Sequence, residues 1–244
     1  MATTFKNLRV LIFGVGCCLC LLETANCTGP LQCDRKADIV LALDRSMVNR
    51  SEWNYELQYL VDISSRFEIA PGNIQIGVLS FSHRAYVEFY LNNHTNQDSV
   101  ADAIENINYR NGGGLYNFAA ALRKVRKEMF KSANGARAGA CKILVVVAFC
   151  SGIHEERMKT STEAFSTQLT GVKIITVGLA SRCSRLQLQI MASRPTNESA
   201  FWFSSPKGIM STCNDVADGA CEKARSCVPN ATTTTPTTTT ATTT

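Results

Sequence analysis

Two sets of residues in this chain have types and spacings suited to chemistry: its cysteines and a short acidic and hydroxyl segment at Asp44-Arg-Ser46. Of 11 cysteines, Cys17, Cys18 and Cys20 fall in an N-terminal apolar run, and the eight that follow stand at positions 27, 33, 141, 150, 183, 213, 221 and 227. An even number of thiols in an exported chain points to disulfides. Thiolate metal binding is disfavoured, since these eight contain no Cys-x-x-Cys pair and are not interleaved with histidines at zinc spacing.

Catalytic patterns are missing. The three histidines, His83, His94 and His154, belong to no nucleophile or metal motif, and no Gly-x-Ser-x-Gly elbow occurs. Gly112-Gly-Gly114 precedes a helical pattern, but no Lys-Ser or Lys-Thr follows it and it lacks dinucleotide spacing, so phosphate binding is not indicated. The residues read as those of a non-enzymatic chain with no cofactor.

The chain ends carry their own signals. Lys6 and Arg9 precede the apolar run Val10 to Leu22, followed by Thr24, Ala25 and Asn26, the layout of a signal peptide over residues 1–26. The run is too short to span a bilayer, so a secreted chain with no membrane span is expected. Asn49, Asn93, Asn197 and Asn230 each open an Asn-x-Ser/Thr sequon, as does Asn26 at the expected cleavage point, which predicts a glycoprotein. Residues 231–244 hold 11 threonines in 14 positions, an O-glycosylated, extended stalk with nothing to bury. The formal net charge of +5 is spread out apart from Arg123-Lys-Val-Arg-Lys127, which reads as a solvated helix face and not a nucleic-acid surface.

The residues between must be positioned by a fold that the apolar patterning predicts. Ala37–Leu43 and Lys142–Ala148 are near-continuous apolar runs, as central parallel strands require. Ile74–Phe81 and Ala85–Leu91 are joined by a link too short for a crossover helix and should pair antiparallel at a sheet edge. Val172–Val177 and Ala200–Phe203 complete six strands. Helices are expected over 52–67, 97–107, 117–130, 155–169 and 184–192, with a last one ending near 220. The fold class is α/β: a doubly wound, mostly parallel six-stranded sheet with one antiparallel edge strand and helices on both faces.

Four landmarks in this order carry a resemblance: Ala37-Asp-Ile-Val-Leu-Ala-Leu-Asp-Arg-Ser46, Gln75-Ile-Gly-Val-Leu-Ser-Phe-Ser82, Tyr109-Arg-Asn-Gly-Gly-Gly-Leu-Tyr-Asn-Phe-Ala-Ala-Ala-Leu122 and Ile174-Ile-Thr-Val-Gly178. The chain resembles the von Willebrand factor type A family, in particular matrix-type members such as the matrilins and the modules of type VI collagen. The resemblance implies a domain over 37–222, with linkers over 27–36 and 223–230.

It also implies a place for magnesium or manganese at the C-terminal edge of the sheet, held in the family by Asp-x-Ser-x-Ser, a loop threonine and a strand-end aspartate. Here Asp44 and Ser46 match as a remnant of that motif, whereas Val48, Tyr116 and Phe149 stand at the other three positions. A hard divalent cation takes about six oxygens, so no metal-dependent adhesion site is expected. Asp44 should instead find donors among backbone N–H groups of the following turn or of the helix starting near Glu52. In the family frame Cys150 and Cys183 follow neighbouring strands and are candidates to staple the rim, and Cys33 and Cys221 match positions that join the two ends of the domain in matrix-type relatives. Cys27, Cys141, Cys213 and Cys227 have no assigned partner.

The resulting expectation is a secreted extracellular-matrix module for cell adhesion or protein binding, holding matrix proteins or glycans, with a mineralised organic matrix as one setting. The alternatives are a divalent-cation-dependent adhesion domain with a rearranged site and a soluble recognition protein of body fluid.

Overall fold

A computed structural model describes residues 27, 29, 31, 33–46 and 49–227. The expected signal peptide 1–26, Val48, Asn230 and the Thr-rich stalk 231–244 lie outside these residues.

The sheet is six-stranded. Strands β1 (Ala37–Asp44), β2 (Ile74–Phe81), β3 (Ala85–Phe89), β5 (Cys141–Ala148), β7 (Val172–Leu179) and β8 (Ala200–Phe203) lie in the order β3-β2-β1-β5-β7-β8. All neighbours pair in parallel except β2 and β3, the expected antiparallel edge. Every residue of the central strand β1 is buried, which explains its apolar run, broken only by Asp38.

Side chains alternate between two cores, as the period of a strand demands. Ile39, Leu41 and Leu43 point with Val145 and Val147 toward helices α1 (Arg50–Ser64), α2 (Gln97–Glu105) and α6 (Cys213–Ser226). Val40 and Ala42 point with Leu144 and Val146 toward α3 (Phe118–Lys124), α4 (Arg157–Leu169) and α5 (Arg185–Met191). At the bottom of the sheet Arg137 clamps the strand starts: its Nε donates to Asp38 Oδ1 at 2.8 Å, and its other nitrogens donate to the carbonyls of Pro71, Ala37 and Asn73.

Three details differ from the sequence reading. The helix expected over 117–130 is α-helical only to Lys124 and passes into a π-helical turn over Val125–Met129. A second, two-stranded sheet pairs β4 (Leu115–Tyr116) with β6 (Ile153–His154), too short to leave a periodic trace. Helix α6 runs past the expected domain edge at 222 to Ser226.

Candidate functional site

The C-terminal edge of the sheet gathers the ends of β1, β5 and β7 with the start of α1. Asp44 ends β1 and is fully buried. Its Oδ1 accepts from the Ser46 N–H at 2.8 Å, and its Oδ2 accepts from the N–H groups of Phe149 at 3.0 Å and Cys150 at 2.8 Å. The following turn thus supplies one donor, as expected, but the start of α1 supplies none; the other two come from the end of β5. Helix α1 does the reverse, with Glu56 Oε1 accepting from the Asp44 N–H at 2.8 Å. Ser46 is equally buried, and its Oγ accepts from the Ser151 N–H at 2.9 Å.

Burial raises the Asp44 carboxyl above its ordinary value, and the bonds from Ser46, Cys150 and Phe149 oppose the shift. Glu56 is driven well above the usual carboxylate range, first by burial and then by Asp44 beside it. Its Oε2 has no hydrogen-bond partner, so no donor there offsets the cost of burying a charge.

The other two described positions of the family motif have been rebuilt. Phe149 is fully buried with its ring 5.1 Å from that of Phe203. Tyr116 stacks on His154 at 4.7 Å with the rings 18° from parallel, and β4 pairs with β6 to hold that stack. Burial lowers the His154 imidazole to about 4. The loops that carry these residues touch closely. A Cβ on Gly112 would lie 1.9 Å from the Arg45 carbonyl oxygen, and one on Gly152 would lie 1.8 Å from that of Gly114.

These residues do not fit a hard divalent cation. Both lone pairs of Asp44 Oδ2 face backbone donors, the Ser46 hydroxyl oxygen is engaged, and Phe149 brings no oxygen. No cluster of three or more His, Cys, Asp or Glu suited to a metal occurs among the described residues.

Covalent and ionic links close the same rim. Cys150 is bonded to Cys183 with a Cα–Cα distance of 5.3 Å, and Cys150 takes a left-handed backbone conformation at φ 51°. Arg182, next in chain to Cys183, grips Glu52 with two nitrogens at 2.9 and 3.1 Å and donates to Ser151 Oγ at 2.7 Å. The remaining bonds lie elsewhere: Cys33 with Cys221, Cys27 with Cys213 and Cys141 with Cys227.

Glu52, Glu56 and Arg182 escaped the sequence reading. Glu56 had a signal, since it sits on the apolar stripe Trp53, Leu57, Leu60 of α1 where a carboxylate is out of place. Glu52 follows Asn49 at capping-box spacing, and Asn49 does cap α1 by accepting from the Glu52 N–H at 2.8 Å. Asn49, Asn93 and Asn197 are all exposed, with Asn49 at the rim.

Beside the rim lies a groove of about 650 Å³ between the β2–β3 turn, α3 and the segment before α4. His83 and Glu155 meet across it at 2.6 Å. Arg84 and Lys127 line it and are exposed, with no ion-pair partner among the described residues. The groove lining includes no serine, threonine or cysteine.

A model of the von Willebrand factor type A domain matches residues 38–212. Integrin alpha-1 of Gallus gallus is 32% identical over 127 residues, covering 51% of this chain and 44% of that sequence. Human vitrin is 33% identical over 113 residues, 46% of this chain and 16% of its own length. The human collagen alpha-6(VI) chain is 30% identical over 177 residues, 70% of this chain and 7% of its own. The chain therefore spans less than half the length of these relatives. Among solved structures, proximal thread matrix protein 1 from the mussel byssus superposes with a TM-score of 0.71 at 23% identity, over 78% of this chain and 49% of that one. Another structure of that protein, described as having a zinc-occupied MIDAS motif, gives 0.72 at the same identity and coverage.

Proposed function

The chain belongs to the von Willebrand factor type A domain family, and from that premise we propose that it is a secreted, non-catalytic interaction module of an extracellular matrix that binds protein or glycan partners without a metal ion. The observation that carries this reading is the closure of the family's cation position. Asp44 is spent on three backbone N–H groups, Phe149 is packed inward, and the Cys150–Cys183 bond spans the rim.

The relatives support the setting, since a collagen chain and a byssal matrix protein share the domain with an integrin. Four disulfides among the described residues favour an oxidising compartment. The groove that holds the His83–Glu155 pair is lined by no serine, threonine or cysteine that the pair could activate, which favours binding over catalysis. Arg84 and Lys127 give the groove two unengaged cations to offer an anionic glycan or an acidic segment of a matrix protein.

The test is binding of the full secreted chain to immobilised fibrillar collagen and to a sulfated glycosaminoglycan, in EDTA and then in magnesium and manganese. Saturable binding of equal affinity in both buffers is expected. Binding that needs the cation and is lost in Asp44→Ala would overturn the metal-free reading in favour of a cation-dependent adhesion domain, the reading that the retained Asp44 and Ser46 would then support.

A further inference from the structure

Five of the eight exposed large hydrophobic side chains among the described residues sit on two adjacent helices. Met158, Phe165 and Leu169 on α4 are 89%, 63% and 70% exposed, and Leu186 and Ile190 on α5 are 66% and 44% exposed. The two helices lie side by side, joined by the bond from Gln168 Nε2 to the Met191 carbonyl at 2.9 Å.

The spacing on α4 is specific. Met158, Thr162, Phe165 and Leu169 follow one another at intervals of four, three and four residues, the seam spacing by which two helices pack along each other. The buried face of α4 is a different one, built on Thr160, Ala164 and Thr167. The exposed stripe is thus a second apolar face that the fold itself leaves uncovered.

We propose that this face binds a second copy of the chain, with α4 packed antiparallel against α4 of the partner and α5 flanking it on each side. Size supports this occupant. At ~150 Å² for a side chain, the low end of the aromatic range since four of the five are aliphatic, the five exposures amount to roughly 500 Å² of apolar surface, near the top of the ~300–600 Å² of the largest patch on a typical monomer, a size that is often functional. With Thr162 and the neighbouring polar side chains the face approaches the ~800 Å² per partner of a stable interface. Self-pairing about a twofold axis needs only a surface that complements itself, and this seam does: the antiparallel arrangement sets Met158 against Leu169 and Phe165 against Thr162.

Charge selects the antiparallel sense. Lys159 at the N-terminal end of α4 is already paired with Glu156 at 2.6 Å, whereas its exposed neighbour Arg157 has no ion pair among the described residues and carries the seam's flanking charge. A parallel pair would bring the two copies of Arg157 together, whereas the antiparallel pair places each beside the partner's helix C-terminus, whose carbonyl ends favour cations. No sequon falls within α3, α4 or α5; those at Asn49, Asn93 and Asn197 lie outside these helices. The face can therefore be approached without a glycan rooted in it.

Sedimentation equilibrium of the full secreted chain tests the proposal. A mass that moves from one chain to two across the micromolar range is expected, with Phe165→Glu and, separately, Leu169→Lys remaining at the mass of one chain. Both positions are exposed, so both variants should keep the wild-type melting temperature at low concentration, and Lys127→Glu in the groove should dimerise as the wild type does. A wild-type chain that stays at one copy up to ~100 µM overturns the proposal, as does a dimer that both stripe variants leave intact. If the chain stays at one copy while Phe165→Glu loses collagen or glycosaminoglycan binding, the face belongs to a matrix partner and the dimer is refuted.

Discussion

Replacing Asp44 with alanine separates a structural carboxylate from a disused metal ligand. Three buried N–H groups, of Ser46, Phe149 and Cys150, lose their acceptor together. Each buried donor left unpaired costs about 1–3 kcal/mol, and relief of the buried acidic group beside Glu56 offsets part of the total. A net loss of about 3 kcal/mol follows, which for a domain of this size lowers the melting temperature by roughly 6–12 °C. Asp44→Asn should recover part of this loss, because its amide oxygen can face the donors of Phe149 and Cys150 while its nitrogen meets only the Ser46 N–H. The assay is thermal unfolding of the two variants and the wild type in EDTA and in millimolar magnesium or manganese. The wild type is expected to melt at one temperature in all three buffers. A true cation site behaves in the opposite way: the ion stabilises the native state by mass action, and removing one carboxylate from a metal-free site is neutral or stabilising. A variant as stable as the wild type in EDTA, together with a wild-type gain in magnesium that the variant lacks, would refute the account of the closed rim.

Other perturbations give independent readings. Removing the Cys150–Cys183 bond, whose partners are 33 residues apart, by Cys150→Ala with Cys183→Ala should cost about 3–4 kcal/mol by chain entropy; Cys150→Gly with Cys183→Ala should recover about 1 kcal/mol of that, since residue 150 sits at φ 51°, and equal melting temperatures would contradict the strain. His154, held at about 4 by burial against an ordinary 6.5, binds its proton more readily when unfolded. Its contribution is therefore complete above pH 6.5 and is lost as pH falls toward 4, about 1–2 kcal/mol once the ~1.4 kcal/mol per unit is discounted for solvent screening of the half-buried ring. His154→Phe should flatten the melting-temperature profile across that window, and an unchanged slope would rule the assignment out. Glu56 acts in the opposite sense: its carboxyl is raised by burial, so stability is full below pH 4.5 and is lost as pH rises through the folded value. Glu56→Gln, which keeps an acceptor for the Asp44 N–H, should gain on the wild type as pH goes from 5 to 8, as followed by scanning fluorimetry.

The parts of this molecule that the sequence makes legible are those governed by local pattern. The near-continuous apolar runs of β1 and β5 announce a doubly covered parallel sheet, and the short His83-Arg84 link announces the antiparallel edge. The β4–β6 pair involves two residues a side and leaves no period to detect, and the π-helical turn at Val125 differs from an α-helix by hydrogen-bond register alone. At the rim, Asp44 and Ser46 stand out by family resemblance, as do the replacements Tyr116 and Phe149. What closes around them does not, because the contacts join residues far apart in the chain: Asp44 to Cys150 across 106 positions and Glu52 to Arg182 across 130. Glu56 is the instructive case, a carboxylate on an apolar stripe whose purpose appears only when β1 arrives above it.

The three disulfides at the chain ends also have a mechanical consequence. Cys27 is tied to Cys213, Cys33 to Cys221 and Cys227 to Cys141, so the first and last segments of the domain are covalently joined through α6. A pull applied at residues 27 and 227 runs from Cys27 across to Cys213 and along α6, and it bypasses β2, β7 and every helix between them. Tension could draw out at most the short stretch between those cysteines before reaching covalent bonds, and the hydrogen-bonded ladders of the sheet would carry almost none of it. Such a module can sit in series with a fibre under strain and keep its binding faces folded until a reductant, not a force, opens the circuit.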